Sequence, residues 1–208
     1  MESNKLNLVV RTMANTILDN ENYFSELDGV VGDGDFGYSL ARGFEIVLED
    51  WDNIDRSLPS TFLKGISTII IGRVGGVSGT IWGTAFLRAS MTLDNKIEIS
   101  KEDVIALFRN AIEGIKKRGQ AELGDKTLLD ALIPAVNQLE VSFHNGENSA
   151  SAIKAAAIVA RQSAEDTRPM IAKRGRASYT GERSIGSLDA GAVAIAVLFE
   201  AVSNAWQE

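Results

Sequence analysis

Three aspartates lie close together in a short glycine-rich loop near the amino terminus. The loop runs from Leu27 to Gly37 and contains Asp28, Asp33 and Asp35. Three carboxylates at this spacing repel one another unless a cation lies among them, and hard oxygen donors favour magnesium, calcium or manganese. The glycines between them let the backbone turn tightly and approach a ligand. We therefore predict a divalent-metal site at the three aspartates.

The spacing of the aspartates excludes an EF-hand calcium site but does not exclude a turn that binds no ion. An EF-hand needs a bidentate Glu at the twelfth position of its loop. Counting from Asp28 or Asp33 reaches Ser39 or Phe44 instead, so an EF-hand is excluded. A solvated turn of aspartate and glycine that binds no ion stays open as the alternative when the loop is considered alone.

A second loop has the composition of a phosphate-binding turn. Residues 74–79 read Val-Gly-Gly-Val-Ser-Gly ahead of a helix, so backbone amides and the hydroxyls of Ser78 and Thr80 are suited to surround a phosphate. The loop lacks the Gly-Lys-Ser/Thr ending of a Walker A motif and follows no strand. Taken alone, the loop is better explained by a helix C-cap followed by an N-cap.

Two later loops contribute positive charge. Lys126 is a candidate for contact with an anion, although a capped turn explains most of its loop. The loop from Lys173 to Gly191 concentrates basic residues in an acidic protein. Guanidinium groups suit phosphate oxygens and the charge that develops during phosphoryl transfer, whereas a solvated or subunit-contacting loop is the alternative. Asp189 is predicted to be the N-cap of the last helix.

Composition restricts the chemistry that these loops can perform. The 208-residue chain has no cysteine and one histidine, His144, which excludes disulfides, zinc-thiolate sites and multi-histidine metal sites. A net charge of -7 argues against a surface for nucleic acid or anionic membrane. The longest apolar stretch, residues 190–199, is too short to span a bilayer, and the amino terminus does not read as a signal peptide. We expect a cytoplasmic protein.

Helices must position these loops, because the hydrophobic spacing is helical throughout the chain. Leu40, Phe44 and Val47 lie on one face of a repeat of about 3.6 residues. Ser100 and Asp103 form a capping box before another such stripe. No segment alternates apolar and polar residues as a strand would. The predicted helices span about residues 5–20, 37–51, 60–73, 79–93, 101–119, 127–143, 150–172 and 190–206.

The order of the loops predicts how the helices are arranged. Short connections make neighbouring helices antiparallel, so the loops after helices one, three, five and seven share one rim of an eight-helix up-and-down bundle. The amino termini of the other four helices point toward the same rim, with unpaired N–H groups that attract polyanions. We predict a single all-α domain over residues 1–208, in which Pro169 kinks the seventh helix and His144 is a turn residue at the opposite end.

Four segments, taken together, resemble a known family. They are residues 32–37 (Gly-Asp-Gly-Asp-Phe-Gly), 74–79, 124–127 (Gly-Asp-Lys-Thr) and 174–184 (Arg-Gly-Arg-Ala-Ser-Tyr-Thr-Gly-Glu-Arg-Ser). In this order they resemble the ADP-binding subunit of dihydroxyacetone kinase, the DhaL family, over almost the whole chain. The resemblance implies an eight-helix antiparallel barrel that carries a nucleotide at one rim, in agreement with the loop order.

The resemblance also implies roles for individual residues. ADP or ATP would bind with two Mg2+ ions, and Asp28, Asp33 and Asp35 would be the metal ligands. Our own hypothesis adds a catalytic role for Arg176, which would stabilise charge on the transferring phosphoryl group. Phe36 stands where the family usually has histidine. The residues implied to line the nucleotide are Phe36, Gly37, Tyr38, Ser39, Val77, Ser78, Gly119, Leu128, Arg176, Asp189, Ala190 and Gly191.

The expected function is phosphoryl transfer to dihydroxyacetone or a related small ketose. The resemblance implies that a separate subunit holds the ketose and that ADP is either exchanged for ATP or recharged by a phosphoenolpyruvate-dependent phosphotransferase subunit. A non-enzymatic nucleotide-sensing subunit is the alternative, with Phe36 as its specific support. A nucleotide domain like that of fatty-acid kinases is disfavoured, because the chain ends at Glu208 without lipid-binding partner domains.

Overall fold

Hydrophobic stripes at helical spacing fold into helices along the described chain. The computed structural model describes residues 3–206 and contains no strand in that range, which confirms the all-α prediction. None of the helices in this range is both long and apolar enough to cross a bilayer. The helices are α1 (Ser3–Asp19), α2 (Glu21–Gly29), α3 (Phe36–Glu49), α4 (Pro59–Arg73), α5 (Gly76–Thr92), α6 (Lys101–Gly119), α7 (Leu129–His144), α8 (Ser149–Glu165) and α9 (Ala190–Ala205), with a 3-10 segment at Arg176–Ser184.

Local capping signals fix where several helices begin. The Asp103 N–H donates to Ser100 Oγ at 3.1 Å, and the Ser100 N–H donates to Asp103 Oδ2 at 3.0 Å, which confirms the predicted capping box. The Ala192 N–H donates to Asp189 Oδ2 at 2.7 Å, so Asp189 is the N-cap of α9, as predicted. Each bond satisfies a donor that the first helical turn leaves unpaired.

The prediction of a loop from residue 27 to residue 37 is wrong at its start. Residues 21–29 form the separate helix α2, and Asp28 lies in its last turn. Asn20 separates α1 from α2, and its side-chain amide donates to the Thr16 carbonyl at 2.8 Å. Burial of Phe24 then stabilises a helix that is too short to show a hydrophobic period of its own.

The predicted seventh helix is too long. This helix, α8, ends at Glu165 rather than at residue 172, so Pro169 lies beyond it and does not kink it. Proline has no N–H for the helical ladder, and the Thr167 hydroxyl donates to the Ala164 carbonyl at 2.7 Å to close the last turn. His144 is the last residue of α7 rather than a turn residue.

Eight of the helices form a closed ring. In the order α1, α3, α4, α5, α6, α7, α8 and α9 each packs on the next, and α9 packs back on α1. The ring corresponds to the predicted eight-helix barrel, and α2 is an addition that packs on α3 and α9. The two ends of the described chain meet where the ring closes, since the Lys5 ammonium lies 4.9 Å from the centre of the Trp206 ring.

The barrel is lined by apolar side chains and is partly hollow. A cavity of about 1050 Å3 lies inside it, bordered mainly by aliphatic and aromatic residues that include Val10, Trp82, Phe86 and Phe199. Neighbouring helices around the ring make most of the contacts between elements. The ring thereby holds its connecting loops in fixed positions at each end.

Candidate functional site

The three predicted metal-binding aspartates, hereafter the aspartate cluster, meet between α2 and α3. Asp28 comes from the last turn of α2, Asp35 directly precedes α3, and Asp33 lies in the turn between them. One carboxylate oxygen from each residue lies within 4.8 Å of the others. Asp28 is half-buried, whereas Asp33 and Asp35 are exposed. The turn therefore presents converging hard oxygen donors to solvent, an arrangement that suits a divalent cation.

Two glycines allow the chain to fold this tightly. A Cβ atom on Gly32 would lie 2.3 Å from Asp28 Oδ1, so a side chain there would displace the carboxylate. Gly34 has a φ of +75°, and its N–H donates to Asp28 Oδ2 at 2.9 Å. The glycines thus orient the Asp28 carboxylate from the backbone.

The first turn of α3 carries four of the residues expected to line a nucleotide, Phe36 to Ser39. Gly37 is buried where a Cβ atom would lie 2.0 Å from the Glu21 carbonyl, so α2 and α3 touch at this residue. The Phe36 ring lies 6.2 Å from that of Phe24 and packs against the core. Tyr38 is exposed, and its N–H donates to Ser25 Oγ at 3.1 Å. Phe36 therefore anchors the turn rather than presenting its ring to solvent.

The turn at residues 74–79 is a C-cap followed directly by an N-cap. Val74 ends α4 and Gly75 precedes α5, as the capping alternative expected. The Thr80 hydroxyl donates to the Val77 carbonyl at 2.8 Å, so its proton is used within the helix. Val77 is exposed and Ser78 is half-exposed at the start of α5. A ligand in this turn would therefore meet Val77, Ser78 and the end of the helix.

Lys126, a candidate for contact with an anion, instead points into the protein. Only 3% of the residue is exposed. Burial lowers the pKa of its ammonium, and the negative charge of Asp189 opposes that shift. Its Nζ atom donates to backbone carbonyls of the connection from α8 to α9, residues 166–189, which we call the long rim segment.

Arg176 is the residue of the long rim segment that reaches the aspartate cluster. Its guanidinium forms an ion pair with Asp33 and lies 3.7 Å from Asp35 Oδ2. Its side chain is 61% exposed. Lys173 and Arg174, by contrast, pair with Asp125. Lys173 and Arg174 thus attach the segment to the rest of the protein, whereas Arg176 contacts the cluster. The spacing of the basic residues in the sequence does not predict this difference.

The remaining expected nucleotide contacts lie where α6, α7 and α9 reach the rim. A Cβ atom on Gly191 would lie 3.1 Å from Leu128 Cβ, so the starts of α7 and α9 touch. Gly119 ends α6, where a Cβ atom would lie 3.1 Å from Ile81 Cδ1 of α5.

The carboxyl group of Asp189, another expected nucleotide contact, has a shifted pKa. Burial raises the pKa of Asp189 to about 7, and the charges of Asp130 and Asp28 also raise it, whereas the hydrogen bond from the Ala192 N–H lowers it.

Sequence reasoning missed a set of exposed apolar side chains on the loops and helix starts at the rim. Tyr179 is the most exposed of them, at 88%. The six residues come from separate connections and helix starts, so no periodic signal marks the set. Its members are Val30, Tyr38, Val77, Leu123, Tyr179 and Ile185, and we call them the apolar rim.

Comparisons with known proteins give consistent results. Residues 30–204 match the family model described as the DAK2 domain. The chain is 36% identical over 186 residues to the ADP-binding subunit DhaL of the PEP-dependent dihydroxyacetone kinase of Escherichia coli K12, covering 89% of each chain. It is 35% identical over 196 residues to the ADP-binding subunit DhaL of PEP-dependent dihydroxyacetone kinase 2 of Listeria innocua, covering 92% of this chain and 89% of the relative.

A solved structure shares the fold. The crystal structure of the dihydroxyacetone kinase from C. freundii in complex with AMP-PNP and Mg2+ matches with a TM-score of 0.75 and 26% identity. The match covers 95% of this chain and 33% of that one. The helical ring thus corresponds to one part of the larger kinase chain.

Proposed function

The chain belongs to the DAK2 domain family, as a DhaL-type ADP-binding subunit of dihydroxyacetone kinase, and from this premise we propose that it acts in the cytoplasm as the phosphoryl-donating subunit of a ketose kinase. The acceptor is a hydroxyl of dihydroxyacetone or a related small ketose held on a partner subunit. The donor is Mg-ATP, or ADP recharged by a phosphoenolpyruvate-dependent phosphotransferase subunit. The observation that carries the proposal is the position of the Arg176 guanidinium against Asp33 and Asp35, two of the three converging carboxylates.

The aspartate cluster would hold the metal. Its three carboxylates supply oxygen donors only, which is the ligand chemistry of Mg2+, and two ions are proposed there. Bound Mg2+ neutralises the charge on phosphate oxygens. The relative crystallised with AMP-PNP and Mg2+ supports this choice of ion.

The nucleotide would lie across the ends of the helices at the rim. Helices α3, α5 and α9 all begin there, and the amino terminus of a helix is a favourable place for phosphate oxygens. Ser78 adds a hydroxyl at the start of α5. The proposed lining residues are those expected from the sequence: Phe36, Gly37, Tyr38, Ser39, Val77, Ser78, Gly119, Leu128, Arg176, Asp189, Ala190 and Gly191.

Arg176 is the proposed catalytic residue. Its delocalised, permanently charged guanidinium lies beside the cluster, where it would stabilise negative charge that develops on the transferring phosphoryl group. The single histidine of the chain, His144, ends α7 and belongs to no part of this site. Deprotonation of the ketose hydroxyl is therefore assigned to the partner subunit.

The apolar rim is the proposed docking surface for the ketose-binding subunit. Exposed apolar side chains that surround a site favour association with another protein. Tyr38 and Tyr179 lie on the α3 and 3-10 sides of this surface. Docking there would place the ketose against the phosphate end of the nucleotide and exclude water from the reaction.

Loss of one cluster carboxylate tests the metal assignment. Asp33→Asn should abolish the thermal stabilisation that Mg-ADP gives the wild type, because ligand binding stabilises the native state only if the site is intact. Asp52→Asn, an exposed carboxylate just beyond the far end of α3, is the matched control and should keep the full shift. Equal stabilisation of Asp33→Asn and wild type would overturn the assignment.

Reconstitution separates the kinase from a regulator that only senses nucleotide. The chain is mixed with a ketose-binding subunit, Mg-ATP and dihydroxyacetone, and the phosphorylated ketose is measured by mass spectrometry. A kinase subunit yields this product, whereas a regulator binds Mg-ADP and yields none.

A further inference from the structure

The turn between α6 and α7 contains an unusual concentration of buried charge. Among residues 4–206, whose exposure is described, the charged residues with the smallest exposed fractions are Asp125 at 7%, Lys126 at 3% and Asp130 at 3%. Burial of a charge costs free energy unless the group is fully paired. Each of the three is paired, and the first two have partners far along the chain.

Lys126 donates hydrogen bonds to three separate positions of the long rim segment. Its Nζ atom donates to the carbonyls of Met170 at 3.1 Å, Ser184, and Ser187 at 2.9 Å, with Ser187 Oγ at 3.3 Å. The three protons of the ammonium group match three backbone acceptors. A single side chain thus fixes the segment before and after its 3-10 turn.

Asp125 holds the same segment between those points. Its carboxylate lies 3.3 Å from Lys173 Nζ and 3.0 Å from Arg174 Nε, and its backbone carbonyl accepts from the Lys173 N–H at 3.0 Å. Asp130 in turn accepts from the Thr127 N–H at 2.7 Å and holds the turn itself in place.

Arg176 lies between these attachments. It follows Arg174 by two residues and precedes Ser184 by eight, and it contacts the aspartate cluster. We propose that Lys126 and Asp125 are positioning residues that fix the long rim segment so that Arg176 faces Asp33 and Asp35. The inference rests on the proposed function for its catalytic consequence, but the local ordering of the segment is independent of that function.

Two readouts distinguish this role from a contribution to general stability. In Lys126→Met, hydrogen exchange of backbone amides at residues 168–188 should rise by about tenfold or more, with exchange in α4 and α5 unchanged. The matched control is Lys64→Met, which removes an exposed lysine of α4 and should leave exchange in the segment as in the wild type. An equal rise over all helices would overturn the proposal.

A double-mutant cycle on Mg-ADP affinity provides the second readout. Arg176→Ala and Lys126→Met should each weaken binding by about tenfold, and the double variant should be no more than about twofold weaker than Arg176→Ala alone. Fully multiplicative losses would show that Lys126 does not act through Arg176. If Lys126→Met fails to fold, Asp125→Asn replaces it in both experiments, since it removes the charge that pairs with Lys173 and Arg174 at nearly unchanged side-chain size. If the wild type does not bind Mg-ADP, the proposed function fails, and hydrogen exchange still decides the positioning role.

Discussion

Two connections of the rim, the turn at residues 28–37 and the long rim segment, reach the same site by different physical means. The first is held by its own backbone: Gly32 and Gly34 are needed for close approach to Asp28, and the partners are separated by a few residues. The second is held by Asp125 and Lys126, whose partners in that segment lie more than forty residues away.

The comparison shows that ligands of a metal can be arranged locally, whereas the residue opposite them must be brought in by tertiary structure. The short turn presents exposed carboxylates, so changing one alters binding with little effect on the fold. The long rim segment depends on buried charges, so changing one alters order over a whole loop.

Removal of the Arg176 guanidinium should have the largest effect of the changes considered, on the rate of phosphoryl transfer. Arg176→Ala should lower the rate of ketose phosphorylation by about 10²-fold, the usual effect of losing a group that stabilises transition-state charge. The control is Arg183→Ala, which removes an exposed arginine of the same segment and should change the rate by less than about twofold. Initial rates in the reconstituted system provide the measurement. Equal losses in the two variants would show that only the net charge of the segment matters.

A methyl group added at Gly37, where α2 and α3 touch, tests whether the short turn depends on close backbone contact. Gly37→Ala should lower the free energy of unfolding by about 2–3 kcal/mol, because its Cβ atom would lie 2.0 Å from the Glu21 carbonyl. Gly72→Ala in α4 meets nothing within 4 Å and should stabilise the protein by about 0.5–1 kcal/mol. Urea unfolding followed by circular dichroism measures both. A Gly37→Ala variant as stable as wild type would show that α2 moves freely against α3.

The smallest expected effect depends on pH. Burial alone would raise the pKa of Asp125, but the Glu122 N–H and the side chains of Arg174 and Lys173 outweigh it and lower that pKa. The carboxylate therefore contributes its full stabilisation above its ordinary pKa of 3.8, and this contribution is lost as the pH falls from 3.8 through the lowered pKa of the folded state. Asp125→Asn should cost roughly 1 kcal/mol at pH 7, and this cost should shrink as the pH is lowered below 3.8. A difference that stays constant over this range would exclude the charge of Asp125 as its cause.

Local patterns predicted the parts of this structure that depend on near neighbours. Helical spacing predicted the all-α fold, and the roles of Ser100 and Asp189 at helix starts followed from hydrogen bonds to residues three positions away. The aspartate cluster was predicted as a group for the same reason, because its members are separated by a short flexible turn.

Features that depend on distant contacts were missed. Helix α2 is stabilised by burial of Phe24 rather than by its own propensity. Lys126 resembled an anion-binding residue, since nothing near it in sequence shows that backbone carbonyls of residues 170, 184 and 187 surround it. The end of α8 depends likewise on Thr167, whose hydroxyl also accepts from the Asp189 N–H at 3.0 Å.

The contact between Lys5 and Trp206 has a consequence for how the chain is connected. Because α9 packs on α1, the first and last helices are neighbours like any other pair in the ring. The architecture thus has no preferred starting helix, and a circular permutant could join these ends and open the ring at the exposed residues Asn145 and Gly146 of the turn after α7. The connection between any two neighbouring helices could in this sense be cut. The site at the rim depends on which helices are adjacent rather than on which helix comes first in the chain.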